Sequence, residues 1–258
     1  MDNNVNEMVK NQFGREAEKY VTSQVHNNPE DLKFILEFIN PNSSWKALDI
    51  ATGGGHLAYT LSSKVAEIYA TDLTEQMLEQ VRKQTIEKGI KNLKTQLEDV
   101  HNLTFPSESF DLVCSRLAPH HFHDIDKALK EMKRVTKKGG FVFIQDTLGP
   151  ESPEARKFFN EIEKMRDPSH VHDLSGSEWI DLFRNTDLKL LKQDKREKSW
   201  PFIWWTKRMS TPPEVVTEIK KLLEENKKKF TYSIRLDRDE KEEFIIRPLN
   251  GYFLAQKI

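Results

Sequence analysis

A short apolar run that ends in three consecutive glycines constrains this chain more than any other feature. Ala47-Leu48-Asp49-Ile50-Ala51 leads through Thr52 into Gly53-Gly54-Gly55, and His56 opens a helical pattern directly afterwards. Glycine carries no Cβ, so the chain there can take positive φ and let a ligand lie directly on peptide groups. Strand, tight glycine turn and helix in this order are how a doubly wound sheet meets a nucleotide-like ligand, at the carboxyl ends of its strands.

The downstream pattern repeats the theme. Strands are expected at Ala47–Ala51, Ala66–Thr71, Leu93–Leu97, Phe110–Cys114 and Phe141–Asp146, and helices at His56–Ser63, Thr74–Lys88 and Asp124–Lys137. Such alternation predicts an α/β fold with a doubly wound, mostly parallel sheet covered by helices on both faces. The helix from Asp124 puts Ile125, Ala128, Leu129, Met132 and Val135 on one stripe, with Gly139 as its stop signal. Three segments are expected: 1–44 as an N-terminal helical lid, 45–148 as the ligand-binding core, and 149–258 as a cap that also completes the sheet. In the last segment, helices are expected over Ser152–Met165 and Ser175–Asn185, and from Pro212-Pro213 onward. Strands are expected from Leu188 to about Glu197, at the alternating Phe230, Tyr232, Ile234 and Leu236, at Phe244–Arg247 and at Tyr252–Gln256.

Asp72 stands at the end of the second predicted strand, 19 residues after Gly53. That is close to the roughly 20-residue offset at which an acid meets ribose hydroxyls. Dinucleotide enzymes share this arrangement, but their fingerprint places glycines at positions one, three and six, where this chain has Ala51, Gly53 and His56. A phosphate loop would need Gly-Lys-Ser or Gly-Lys-Thr, and His56-Leu57-Ala58 is unlike it. The turn is therefore not built for pyrophosphate. Asp49 either orients the turn from within the strand or meets a ligand ammonium through water, the structural role being preferred.

With these residues in view, Asp49-x-Ala51-x-Gly53-x-Gly55 resembles the first motif of class I S-adenosylmethionine-dependent methyltransferases, with Ala51 where the family more often has glycine. Tyr69-Ala-Thr-Asp72-Leu73-Thr-Glu-Gln-Met77-Leu resembles the second motif. Leu97-Glu98-Asp99-Val100 and Ser109-Phe110-Asp111-Leu112-Val113 resemble the third and fourth. The segments Ala51–His56, Ala118-Pro-His-His-Phe122 and Arg166-Asp-Pro-Ser-His170 resemble the small-molecule branch that includes YcgJ-like and quinone-ring methyltransferases, of the ubiquinone and menaquinone biosynthesis type. The resemblance implies a seven-stranded Rossmann-like methyltransferase fold and S-adenosylmethionine as the cofactor, with S-adenosylhomocysteine as its product. It implies that Asp72 takes the ribose and that Leu73 and Met77 flank the adenine. Asp99 and the Val100 amide would read the adenine, Ser115 and Arg116 would line the methionine end, and Tyr20, with His26, would cover the site from the flap.

Methyl transfer from a sulfonium is an in-line displacement governed by positioning, and a base helps when the acceptor must lose a proton. His120 and His121 follow the fourth strand, so one is expected at the pocket and the other as a cap of the helix at Asp124 or in solvent. His170 and His172, beside Asp173, are the candidates from the cap. No metal site is expected, because adjacent histidines diverge and no His-x-x-x-His or cysteine pair accompanies them. Cys114 reads as core. The aromatic patch Trp200–Trp205 reads as packing of the cap, with a pocket wall as the alternative.

The 40 basic and 41 acidic side chains nearly cancel, so the chain has no bias toward a polyphosphate backbone. Lys227-Lys228-Lys229 ends a predicted helix, where cations suit the dipole. A small-molecule substrate is expected, with neither membrane nor nucleic-acid partners. A monomer or homodimer in the cytoplasm is expected, given the single cysteine and the absence of a basic-then-apolar leader. The alternatives are a non-catalytic S-adenosylmethionine-binding protein and an RNA or protein methyltransferase.

Overall fold

A computed structural model describes residues 5–10, 12 and 27–258. Seven strands form the main sheet: β1 (Lys46–Ile50), β2 (Glu67–Asp72), β3 (Leu93–Leu97), β4 (Phe110–Arg116), β5 (Thr136–Leu148), β6 (Leu188–Glu197) and, last in the chain, β10 (Leu249–Lys257). Their order is β3-β2-β1-β4-β5-β10-β6. The first five run parallel, and β10 is antiparallel to both of its neighbours. The expected α/β doubly wound, mostly parallel seven-stranded sheet is what the chain forms. Strand order reverses between β1 and β4, so a crevice opens at the carboxyl ends of the strands there.

The helices are α1 (Pro29–Ile39), α2 (His56–Ser62), α3 (Glu75–Glu87), α4 (Ile125–Val135), α5 (Pro153–Arg166), α6 (Gly176–Asn185), α7 (Phe202–Arg208) and α8 (Pro213–Phe230). One core cluster, with Leu48, Val113, Leu129 and Phe253, fills one face of the sheet; another, with Ala47, Leu112, Phe143 and Tyr252, fills the other. A third joins α5, α7 and α8 to a small sheet of β7 (Trp200–Pro201), β8 (Leu236–Arg238) and β9 (Phe244–Ile246), ordered β7-β9-β8. Each large apolar side chain fully buried in these clusters contributes about 1.5–3 kcal/mol.

Two of the differences from the expected boundaries have a clear local cause. The helix from Asp124 stops at Val135, because Thr136 already pairs with Phe110 and its hydroxyl donates to Met132 O at 2.7 Å. Strand pairing at Thr136 overrides the expected continuation of the helix to Lys137, and Gly139 turns the chain with φ +77°. The alternation from Phe230 to Leu236 is not a strand throughout. Phe230 closes α8, Ile234 N donates back to Phe230 O, and only Leu236–Arg238 is extended. A spacing of four fits a helical turn as well as it fits alternation. Tyr232 is accordingly exposed while Phe230, Ile234 and Leu236 are buried.

α1 is fastened across the sheet edge by one carboxylate. Asp31 accepts from Arg116 Nη2 (2.8 Å), Lys198 Nζ (3.1 Å), Gln145 Nε2 (3.2 Å) and the Tyr252 hydroxyl. Burial works against its charge, yet Arg116, the Tyr252 hydrogen bond and Lys198 outweigh it and hold the carboxyl at about 2.

Candidate functional site

The glycine turn needs its glycines for different reasons. Gly55 has φ +79°, and a Cβ there would sit 2.6 Å from the Tyr59 ring, whereas a Cβ at Gly53 (φ +53°) would meet nothing within 4 Å. Gly55 thus serves the start of α2, and Gly53 faces open space over the crevice. Ala51 also has positive φ, +52°, a conformation that costs a side-chain-bearing residue about 1–2 kcal/mol. Asp49 is buried in β1 and accepts from the Thr52 hydroxyl at 2.7 Å. Burial pushes its carboxyl up to about 7, against the Thr52 hydrogen bond and the Arg116 charge.

An open cleft spreads over this turn. Its walls include Asp49, Ala51, Gly53, Asp72, Leu73, Met77, Asp99, Val100 and Arg116, which are nine of the twelve positions expected to hold cofactor. Asp72, at the end of β2, accepts from Gly53 N and Thr74 N, each at 3.0 Å, one on each carboxyl oxygen. Each oxygen keeps a further lone pair for the cleft. Burial raises this carboxyl above its usual range, against those backbone donors.

Asp99 follows β3 and accepts from His101 N (2.9 Å) and His101 Nδ1 (2.7 Å) on one oxygen, and from Asn6 Nδ2 (2.9 Å) on the other. The His101 hydrogen bond, against partial burial, pulls it down to about 2. Asn6 and Val9 bring the N-terminal helical stretch over the cleft. Neither Asn6 nor His101 was marked by the sequence reading; His101 had a signal, lying two residues beyond Asp99, and Asn6 had none.

Of the remaining cofactor positions, Gly55 does not line the cleft. Ser115 lies behind it, fully buried, its hydroxyl donating to Ile50 O at 3.1 Å. Tyr20 and His26 lie outside the described residues. Arg116 reaches the cleft, while its Nε donates to Gln145 Oε1 at 2.7 Å and its Nη2 to Asp31.

A second cavity opens between the sheet edge and the cap. Leu117 and His121 line both cavities. Leu117 has φ +52° at the end of β4, with its N–H on Gln145 O at 2.7 Å, and the turn that follows carries Pro119–His121 to the junction. His120 and His121 are both in this cavity wall and neither caps α4; Asp124 does so itself, accepting from Lys127 N. Their ring centroids are 4.2 Å apart.

The two imidazoles differ in charge. His120 Nδ1 meets Asp146 Oδ1 at 2.7 Å, and its backbone N donates to Asp146 Oδ2 at 2.8 Å. Burial alone would lower its pKa, but Asp146, with Asp173 and Glu163 beyond, raises it to about 9. His121 is pushed down to about 4 by burial and by charged His120 beside it. His121 Nδ1 faces Ser169 O at 3.0 Å. A carbonyl only accepts, so Nδ1 carries the proton and Nε2 is the basic nitrogen.

This sorting has a measurable consequence. The His120 pKa rises on folding from its unfolded value near 6.5, so its stabilisation is complete below that pH and is lost as pH climbs through about 9. Asp146→Asn is expected to remove on the order of 3 kcal/mol at pH 6 and much less at pH 10. Urea denaturation at the two pH values measures the difference, and an equal loss at both would contradict the charged pair.

His170 also lines this cavity, buried and pushed down by burial and His120, with Nε2 donating to Asn160 Oδ1 at 2.8 Å. His172 is exposed and lines neither cavity. Cys114 is buried in β4, its thiol raised by burial. The aromatic patch divides: Phe202 and Trp205 pack in the cap core, Ile203 and Trp204 are exposed, and Trp200 and Trp205 also wall the second cavity. No helix among the described residues is long and apolar enough to cross a membrane.

Residues 48–144 match the Methyltransferase domain family. The chain is 35% identical over 204 residues to the uncharacterized methyltransferase YcgJ of Bacillus subtilis, covering 78% of this chain and 80% of that protein. The YcgJ crystal structure superposes with a TM-score of 0.84 over 88% of this chain and 98% of that one, at 29% identity. The ubiquinone/menaquinone biosynthesis C-methyltransferase UbiE of Rickettsia massiliae is 33% identical over 152 residues, covering 54% of this chain and 60% of that protein.

Proposed function

Because the chain belongs to the class I S-adenosylmethionine-dependent methyltransferases, we propose that the cleft over the glycine turn holds S-adenosylmethionine and that the second cavity holds a small-molecule methyl acceptor. The observation that carries this reading is the shared wall: Leu117 and His121 line both cavities, so a methyl donor in one and an acceptor in the other meet at that point. The donor set fits the cofactor. Acids close the ends of β2 and β3, an open glycine floor lies between them, and the Asp49 carboxyl and the Arg116 guanidinium stand at the β1–β4 end.

In this reading Asp72 grips the two ribose hydroxyls with the lone pairs left by Gly53 and Thr74, and Leu73 and Met77 flank the adenine. Asp99 accepts from the adenine amine on the carboxylate that Asn6 touches, and the Val100 amide meets the ring. Asp49 and Arg116 balance the ammonium and carboxylate of the methionine moiety. Bound S-adenosylmethionine supplies an electrophilic methyl group. His121 Nε2 accepts a proton from the acceptor, and Asp167 Oδ2, 4.0 Å away, stabilises the imidazolium that forms. Leu117, Ala118 and Phe122 keep water from the junction. The single cysteine, buried in β4, suits a reducing cytoplasm.

Calorimetry on the full chain tests the cofactor assignment. S-adenosylmethionine and S-adenosylhomocysteine are expected to bind saturably at one site each, in competition with one another and not with NADH. A folded chain that binds neither would overturn the reading.

A further inference from the structure

Three buried side-chain atoms with no hydrogen-bond partner among the described residues belong to residues that line the second cavity: Asp173 Oδ1, Asn250 Oδ1 and Trp205 Nε1. Their residues are 2%, 2% and 1% exposed. Buried polar atoms are nearly always satisfied, and two acceptors and a donor left open around one cavity describe the complement of a ligand. Asp173 is the costliest of the three. Its nearest ring nitrogen, His170 Nε2, stands 3.9 Å from Oδ2 and already donates to Asn160 Oδ1.

The charged groups nearest Asp173 are engaged with one another. Asp146 and Glu163 are the neighbouring acids, and His120 and Arg166 are the neighbouring cations. Both cations are engaged, His120 on Asp146 and Arg166 on Glu163 (2.6 Å). The ion-pair contact of Asp173 itself is the 3.9 Å approach of His170, and Asp167 and Arg208 are further charged residues of the cavity wall. Burial, opposed by His120 and reinforced by Glu163 and Asp146, raises the Asp173 carboxyl well above its usual range. Without a ligand cation such a carboxyl holds a proton; an ammonium set against it lets the acid ionise and pairs its charge. Farther along the wall, Lys198 is paired with Asp31.

We propose that the second cavity recognises a small, amine-bearing acceptor whose ammonium lies on Asp173, with an oxygen of the same molecule accepting from Trp205 Nε1. The proposal rests on the methyltransferase reading for the word acceptor, but the ligand chemistry stands on the cavity wall alone. A prenyl tail lying against Asp173, Asn250 and Trp205 would strand these atoms without partners.

The test is a thermal-shift titration of the full chain, with and without S-adenosylhomocysteine. The probes are propylamine, 2-aminoethanol, ethylene glycol, propionate and a short-chain prenylated hydroquinone. The two amines are expected to raise Tm, the amino alcohol at lower concentration, while the glycol, the acid and the hydroquinone do not. Asp173→Asn is expected to weaken both amines at least tenfold. Trp205→Phe, which removes the N–H together with part of the buried ring, is expected, measured against its own unliganded Tm, to weaken 2-aminoethanol about threefold and leave propylamine unchanged; it carries the test if Asp173→Asn does not fold. No shift with either amine, shifts confined to propionate or the hydroquinone, or amine shifts that survive Asp173→Asn would each overturn the proposal. Amine shifts without any response to S-adenosylhomocysteine would overturn the cofactor reading and leave the amine site standing.

Discussion

Asp72→Ala is expected to weaken S-adenosylmethionine binding about 100-fold, because two charge-assisted hydrogen bonds to ribose, worth about 1.5–3 kcal/mol each in isolation, are lost and partly replaced by water. The side chain has a second duty that the measurement must separate. Its two oxygens hold Gly53 N and Thr74 N, so the alanine variant also loosens the turn that floors the cleft. Asp72→Asn keeps one acceptor oxygen and removes the charge. It is expected to lose less stability than Asp72→Ala while still binding the cofactor at least tenfold more weakly. Calorimetric titration with S-adenosylhomocysteine, alongside a denaturation curve for each variant, gives both quantities. Undiminished affinity in a folded Asp72→Ala variant would sink the ribose assignment.

The second large effect is expected at His121. A general base of this kind contributes on the order of 10²–10⁴ in rate, so His121→Asn is expected to lower kcat at least 100-fold while changing S-adenosylhomocysteine affinity by only a few-fold. The pH profile of the wild-type rate carries more information than the single value. Activity is expected to rise as His121 loses its proton near pH 4, to stay level through neutrality, and to bend again near pH 9 as His120 loses its charge. The two imidazoles interact, so these limbs belong to the pair and not to either ring alone. His121→Asn is expected to erase the acid limb. An acid limb that persists in that variant, with kcat within threefold of wild type, would remove His121 from the chemistry.

Much of the cleft was legible because its determinants are local. Gly53, Asp72 and Asp99 lie at successive strand ends, and in a parallel sheet every such end points to the same edge. Nine expected cofactor positions therefore line one cleft. Ser115 does not line the cleft because β-strand neighbours face opposite ways: Arg116 reaches it, whereas Ser115 turns to the Ile50 carbonyl. Period-two alternation assigns residues to two faces without saying which face is open. Asn6 was unreadable for a different reason. Its meeting with Asp99 joins positions 93 residues apart, and nothing in a weakly apolar N-terminal stretch says where it docks.

The glycine turn, the alternation of strands with helices and the acids at strand ends were determined by the sequence itself, since each depends on backbone freedom or on a repeat that a few neighbouring residues set. The seating of β10 between β5 and β6, the docking of the cap and the second cavity were decided only in the tertiary structure. That cavity brings His120 and His121, from the end of β4, against Glu163, His170 and Asp173, from the cap, with Asn250 of β10. Which histidine is charged and which is neutral follows from Asp146, 26 residues from His120 in the chain and 2.7 Å away in space. Burial and charge act through distance, and distance between remote segments is fixed by which surfaces pack together.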